Sequence, residues 1–277
     1  MLSGRKLVFL DIDGTLLANG RPVSGKVAQA LKQAYDNGHF LCICTGRAYS
    51  EVPEEMKKFD GMISAAGACV MWKEEILQVE YFSEEEKEYV AGLLEEAGAT
   101  YIMEGFEKLY MKKDIRERFF KEMESFDEEE KLLLSFFRKT TPGNSVKEME
   151  KVHKCSYFYA EKDGIWFRER LKERGMSATA FSQAETRGNS GEITKAAFTK
   201  GTAVYYLSSY LGVSAENTIA IGDSENDLEM LKAAGVGIAM GNASDFVKEA
   251  ADDVTESVDE DGVYHAFVKY GLISKED

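Results

Sequence analysis

Four aspartates dominate any chemical reading of this chain. Asp11 and Asp13 lie in Asp11-Ile12-Asp13-Gly14-Thr15-Leu16, and Asp223 and Asp227 in Gly222-Asp223-Ser224-Glu225-Asn226-Asp227. Each set directly follows a short apolar run, Lys6 to Leu10 and Asn217 to Ile221. A third run, His39 to Cys44, ends in Thr45-Gly46-Arg47. Ligands of an open α/β sheet bind beyond the carboxyl ends of its strands, so these clusters, far apart in sequence, would converge there. Four carboxylates at one place repel one another and need a compensating charge. Oxygen-only ligands suit Mg²⁺, which takes one or two carboxylates, several waters and a substrate phosphate. Thr45, Gly46, Asn226 and a nearby Lys or Arg are donors of the kind a phosphate needs. The combination implies metal-assisted phosphoryl chemistry. An EF-hand loop would need Gly at its sixth position and Glu at its twelfth. Counted from Asp11 these are Leu16 and Pro22, and from Asp223 they are Leu228 and Ala234. Neither a GxxxxGK[ST] P-loop nor a GxGxxG fingerprint is present.

The elements that must position these residues follow from periodicity. Ser24 reads as an N-cap, followed by Val27, Ala30, Leu31 and Ala34 at helical spacing and a stop at Gly38. Gly61 to Ser64 reads as a third strand. Late in the chain Ala203, Leu207 and Leu211 share a helix face, Leu228 and Leu231 lie on the next helix, and Val236 to Ala239 reads as a strand. Strand and helix in alternation predict an α/β fold, a mostly parallel, Rossmann-like sheet with helices on both faces. The middle differs. Ser83 with Glu86 forms a capping box ahead of Val90, Leu93, Leu94 and Ala97. Thr100 to Glu104, Lys108 to Lys112, Cys155 to Ala160 and Ser177 to Ser182 read as strands, with Asp163 capping a helix that runs through Arg174. Residues 83–185 are therefore expected to form an α+β module inserted into a core made of residues 1–82 and 186–277. The acidic runs Glu84 to Glu88 and Asp127 to Glu130 read as solvated helix starts, where carboxylates suit the dipole.

Composition bounds the partners. The 277 residues carry 34 Lys and Arg against 49 Asp and Glu, a formal charge of -15. That balance argues against nucleic acid, because no basic face is available to displace counterions. No apolar run approaches the ~18 residues of a membrane span. Met1 to Leu10 does not read as a signal peptide, and Cys42, Cys44, Cys69 and Cys155 show no CxxC spacing, so a reduced, cytoplasmic setting is expected.

The order DIDGTL, TGR, KG, GDSEND resembles the haloacid dehalogenase superfamily, and specifically its Cof-like phosphatases, which carry a large cap between the second and third motifs. Ala234 to Ala243 and Asp261-Gly262-Val263 continue the likeness. The resemblance implies a role for each matching residue. Asp11 would be the nucleophile and Asp13 the general acid. Asp11, the Asp13 carbonyl and Asp223 would hold Mg²⁺, with Asp227 orienting them from behind. Thr45, the Gly46 amide and Asn226 would bind phosphate, with Arg47 beside them as a further ligand or a structural residue. Lys200, rather than Lys195, would neutralise charge on phosphate and Asp11. In one departure, Ala66-Gly67-Ala68 stands where the family commonly has Asn-Gly-Ala, which removes any contact an Asn would make.

The implied activity is Mg²⁺-dependent hydrolysis of phosphate monoesters of small metabolites, with the insert selecting the substrate. A phosphomutase of the same superfamily would differ by releasing no phosphate. A non-catalytic phosphometabolite-binding protein would have no need of Asp11 and Asp13.

Overall fold

The computed structural model describes residues 4–18, 21–126, 134–180 and 189–275. The expected acidic helix start at Asp127 to Glu130 lies outside them. The chain divides into two compact units, one of residues 1–47, 52–79 and 198–277, the other of 48–51 and 80–197.

The first unit is built on one sheet. Its strands are β1 (Leu7–Leu10), β2 (Phe40–Cys44), β3 (Gly61–Ser64), β4 (Cys69–Trp72), β5 (Glu75–Val79), β12 (Thr218–Gly222), β13 (Val236–Ala239) and β14 (Asp253–Val254), in the order β14-β13-β12-β1-β2-β3-β4-β5. From β14 to β3 neighbours run parallel, and β4 and β5 add an antiparallel edge. That edge hairpin was not legible beforehand, because Glu75–Val79 carries little apolar alternation. Leu7, Phe9, Cys42, Cys44 and Ala220 face one side and share a core with Ala203, Val204 and Leu207 of α5 (Lys200–Tyr210) and with Met230 and Leu231 of α6 (Leu228–Ala233). Strand alternation sends Val8, Leu10, Leu41 and Ile43 to the opposite face, where they are just as buried. A sheet covered on both faces needs near-continuous apolar strands, and β1, β2 and β12 are of that kind.

The second unit holds a six-stranded sheet of β6 (Thr100–Gly105), β7 (Leu109–Lys112), β8 (Thr141–Gly143), β9 (Val152–Ala160), β10 (Met176–Ala180) and β11 (Asn189–Lys195), in the order β10-β11-β9-β6-β7-β8. Every pairing is antiparallel except β7 with β8. Helices α2 (Glu84–Glu96), α3 (Lys113–Glu122) and α4 (Gly164–Lys172) belong to this unit, and the Ser83–Glu86 capping box and the Asp163 cap form as their sequences demand. Tyr101, Phe119, Phe137, Tyr157 and Phe167 fill its core. Strand β11 corrects the expected boundary at residue 185. It pairs with β9 and β10, so the insert unit extends to 197.

Candidate active site

The site is assembled at the carboxyl ends of β1, β2 and β12, neighbours in the sheet order. Asp11 follows the last residue of β1, and its N–H donates to the Ile221 carbonyl at 3.1 Å, tying it to β12. After Asp11 the chain turns tightly. The N–H groups of Leu16 and Leu17 both donate to the Ile12 carbonyl, and that of Gly14 donates to Leu17 at 2.8 Å. Gly14 has φ +87°, and a Cβ there would collide with the Asp223 carboxylate. Glycine is thus required both by the left-handed backbone and by the close approach of the third motif.

Lys200 is the first residue of α5, behind an N-cap at Thr199 whose hydroxyl accepts from the Thr202 N–H. A cation there opposes the helix dipole, so its burial needs compensation. Two carboxylates supply it: Nζ donates to Asp11 Oδ1 at 2.7 Å and to Asp227 Oδ1 at 2.6 Å. All three groups are buried. Burial pushes the ammonium toward neutrality, but Asp11 and Asp227 reverse this and hold its pKa above the ordinary lysine range. Lys195, the alternative lysine, instead pairs with Glu80 and Glu86 in the second unit.

Asp227 is saturated from the other side. Its Oδ2 accepts from the N–H groups of Asp223 and Ser224, each at 3.0 Å, and from the Ser224 hydroxyl at 3.1 Å. It therefore orients the loop and Lys200 and has little lone-pair capacity left for a ligand. Asp223 is different: its Oδ1 is buried and has no hydrogen-bond partner. Carboxylate oxygens of Asp11, Asp223 and Asp227 lie within 4.8 Å of one another. Burial, then Asp227, push the Asp11 carboxyl well above its ordinary range. The same two causes push Asp223 up to about 7. An orphaned buried oxygen among crowded carboxylates fits a divalent cation. Asp11 and Asp223 would be its side-chain ligands, with Asp227 behind them.

The phosphate donors come together in part. Thr45 is buried at the end of β2, its N–H donating to Ile63 at 2.8 Å and its hydroxyl accepting from the Arg47 N–H at 3.1 Å. Gly46 and Asn226 are adjacent, since a Cβ on Gly46 would stand 3.3 Å from Asn226 Nδ2. The Ser224 hydroxyl lies 2.8 Å from Asn226 Oδ1 as well, so its one hydrogen is shared between that amide and Asp227 Oδ2. Arg47, expected beside the phosphate donors, is engaged elsewhere. Its Nε donates to Asp13 Oδ2 at 2.8 Å and its Nη2 to Asp13 Oδ1 at 2.6 Å, because a two-point carboxylate is the nearest match to its fork.

Asn242 escaped the sequence reading. Asn242 donates through Nδ2 to the Gly14 carbonyl at 2.9 Å and to Asp223 Oδ2 at 3.3 Å, while its Oδ1 accepts from the Val258 N–H at 2.9 Å. It thereby ties the first motif to the third. The only signal was its place in a Gly-Asn-Ala turn after a strand. Ala66, the departure from the resembling family, lies in the left-handed region at φ 54° and ψ 30°, next to Ala65 at φ 50° and Gly67 at φ 106°. Its N–H donates to the Thr45 carbonyl at 3.1 Å, and the Ala65 N–H donates to that of Arg47 at 2.7 Å. The Asn of the resembling family would suit this backbone, since Asn tolerates the left-handed region.

A family model described as haloacid dehalogenase-like hydrolase matches residues 8–267. The chain is similar to 5-amino-6-(5-phospho-D-ribitylamino)uracil phosphatase YitU of Bacillus subtilis, 28% identical over 272 residues that cover 95% of this chain and 97% of that one. Phosphatase YwpJ of the same organism is 31% identical over 283 residues, 94% of this chain and 98% of its own. The solved structure of the subclass IIB sugar phosphatase BT4131 superposes with a TM-score of 0.78 at 26% identity, covering 97% of this chain and 100% of that one. Among the described residues no helix is long and apolar enough to cross a membrane.

Proposed function

The chain belongs to the haloacid dehalogenase-like hydrolases and is a phosphatase of small metabolites; from that premise we propose that it hydrolyses phosphate monoesters through an aspartyl-phosphate, with Mg²⁺ as cofactor. The observation that carries this reading is the buried Asp11–Lys200–Asp227 chain beside the unpartnered Oδ1 of Asp223. Asp11 attacks phosphorus, and the bond from phosphorus to the leaving-group oxygen breaks. Asp13 gives its proton to that oxygen, then takes one from water, which attacks the aspartyl-phosphate. The phosphorus–oxygen bond to Asp11 breaks, phosphate leaves, and Asp11 is restored. Lys200 holds Asp11 in place and offsets charge on the transferring group. Thr45, the Gly46 amide and Asn226 receive the phosphate oxygens. Asp11, Asp223 and the Asp13 carbonyl would hold Mg²⁺, which would supply charge neutralisation for a dianionic substrate facing carboxylates.

Each residue given a chemical role lies in the first unit, so we assign choice of the leaving part to the second. The relatives' names favour a phosphorylated sugar-like or ribityl compound as substrate. The four cysteines are free and buried thiols, which supports a reducing, cytoplasmic compartment.

The test is Asp11→Asn, an isosteric change that removes the nucleophile. Phosphate release should fall by ~10⁴-fold or more, with the circular dichroism spectrum unchanged. Near-normal release would overturn the assignment. Treatment with EDTA should stop wild-type turnover and excess Mg²⁺ should restore it; full activity in EDTA would overturn the metal's role.

A further inference from the structure

The guanidinium of Arg47 makes two short hydrogen bonds to the carboxylate of Asp13. We infer that Arg47 is the positioning residue for the general acid Asp13, and not a ligand of the substrate phosphate. The inference rests on the proposed role of Asp13.

Three features of the local structure carry it. The backbone of Asp13 is already fixed by the turn at Ile12, in which Leu16 and Leu17 donate to one carbonyl. What remains free is rotation of the Asp13 side chain, which is 57% exposed. A single hydrogen bond would leave that carboxylate free to spin, whereas a two-point hold fixes its plane. Arg47 is itself held from both sides of its own peptide. Its N–H donates to Thr45 Oγ1 at 3.1 Å, and its carbonyl accepts from the Ala65 N–H at 2.7 Å. The side chain thus reaches Asp13 from a rigid base. The arrangement is also compatible with proton transfer. An ionised carboxylate offers about four lone-pair sites, and two N–H bonds occupy two of them. In the acid step one of the others carries the proton that passes to the leaving-group oxygen, and in the base step they receive the proton from water. The guanidinium keeps its own protons throughout, so it cannot replace Asp13 as the acid.

A phosphate ligand and an acid-positioning residue differ in what their removal does. Loss of a phosphate ligand weakens every substrate and inorganic phosphate alike. Loss of the positioning residue costs proton delivery, which a good leaving group hardly needs. The experiment compares wild type, Arg47→Met, Arg47→Lys, Asp13→Ala and the double variant Asp13→Ala/Arg47→Met. Each is assayed with p-nitrophenyl phosphate and with an alkyl phosphate, and with inorganic phosphate as competitive inhibitor. Misplacing the acid should lower kcat for the alkyl ester by about 10- to 100-fold. For p-nitrophenyl phosphate the loss should stay under about threefold, and the inhibition constant of phosphate should move by less than that. Arg47→Lys keeps the charge without the planar fork and should show the same split, which guards against a misfolded Met variant. In the Asp13→Ala background Arg47→Met should cost nothing further, since its effect passes through Asp13.

Equal losses on both esters would overturn the inference. So would a tenfold weaker phosphate inhibition, or an undiminished effect of Arg47→Met when Asp13 is already Ala. An Asp13→Ala variant that treats the two esters alike would overturn the acid role itself, and the inference with it. If Asp13→Ala shows the split and the Arg47 variants do not, only the inference falls.

Discussion

Each unit of this protein buries a lysine between two carboxylates, and the two clusters have different fates. In the first unit Lys200 Nζ lies 2.7 Å from Asp11 and 2.6 Å from Asp227. In the second, Lys154 Nζ lies 3.2 Å from Glu104 Oε2 and 2.9 Å from Glu192 Oε2, with the Ser156 hydroxyl donating to the other oxygen of Glu104. All of these side chains are buried. Counted as ions, Asp11, Asp223, Asp227 and Lys200 leave two surplus negative charges, and Glu104, Glu192 and Lys154 leave one, to which Glu51 beside Glu104 adds a second. The second unit can reduce its surplus with a proton. Burial, opposed by Lys154 and aided by Glu51, pushes the Glu104 carboxyl from an ordinary 4.5 to about 8. In the first unit the surplus falls on Asp223, whose Oδ1 has no partner. The position in the fold explains the contrast. The Lys200 cluster sits where parallel strands end and loops supply unpaired donors. Glu104 and Lys154 face each other within an antiparallel ladder, and Glu104 Oε2, like Asp223 Oδ1, has no hydrogen-bond partner there. The two clusters thus share an unsatisfied carboxylate oxygen and differ in where it stands, at strand ends in one and inside a ladder in the other.

The contrast can be broken by removing each lysine. Lys154→Met leaves two buried carboxylates unpaired and should destabilise the second unit by about 3–5 kcal/mol. Urea unfolding at pH 8 measures this, and a loss below 1 kcal/mol would mean the cluster is solvated. Lys200→Met should instead announce itself in turnover, with kcat down by ~10²–10³-fold, the scale for losing one charge-stabilising donor. Phosphate release by folded protein is the readout. A variant that retains full kcat would reduce Lys200 to a structural ion pair.

A smaller effect sharpens the claim about surplus charge. Saturating Mg²⁺ at about 100 times its dissociation constant should stabilise wild type by about 2.7 kcal/mol. Asp223→Asn should abolish that gain, while Glu104→Gln should leave it intact. Calorimetry of the three proteins with and without Mg²⁺ decides.

The proton in the second unit has its own signature. Glu104 has a raised folded pKa, so its contribution to stability is fully present below 4.5 and is lost as pH rises through about 8. Glu104→Gln mimics the protonated form. The melting temperature of wild type, measured against this variant, should therefore fall as pH is raised from 5 to 9. A constant difference would show that Glu104 is ionised throughout. Smallest of all, Ala66→Asn should stabilise the first unit by about 0.5–1 kcal/mol, because Asn enters the left-handed region more readily than Ala. Chemical denaturation reads this directly, and destabilisation would mean the loop has no room for the amide.

What could be read in advance follows from how local each signal is. The strands ending in Asp11, Thr45 and Gly222 are short apolar runs closed by polar clusters, and both the Ser83–Glu86 box and the Asp163 cap are satisfied within four residues of chain. The hairpin of β4 and β5 was missed because an edge strand with exposed Glu75 and Ile76 need not alternate. Lys154 and Glu104 passed unnoticed for a different reason. They are ordinary residues in their own segments, and only the register of β6 against β9 makes them partners.

The amino-acid order by itself determined the repertoire: an alternating α/β chain with an α+β insert, four aspartates and a lysine at strand and helix ends, and the charge conflict that calls for a cation. Tertiary structure alone decided how that conflict is shared out. It saturated Asp227 with Lys200 and two backbone amides, left Asp223 Oδ1 unsatisfied, brought Asn242 onto Gly14 across 228 positions of sequence, and paired Arg47 with Asp13. Hydrogen bonds and ion pairs act over a few ångströms. Which donor reaches which oxygen is therefore settled only once the strands have taken their places.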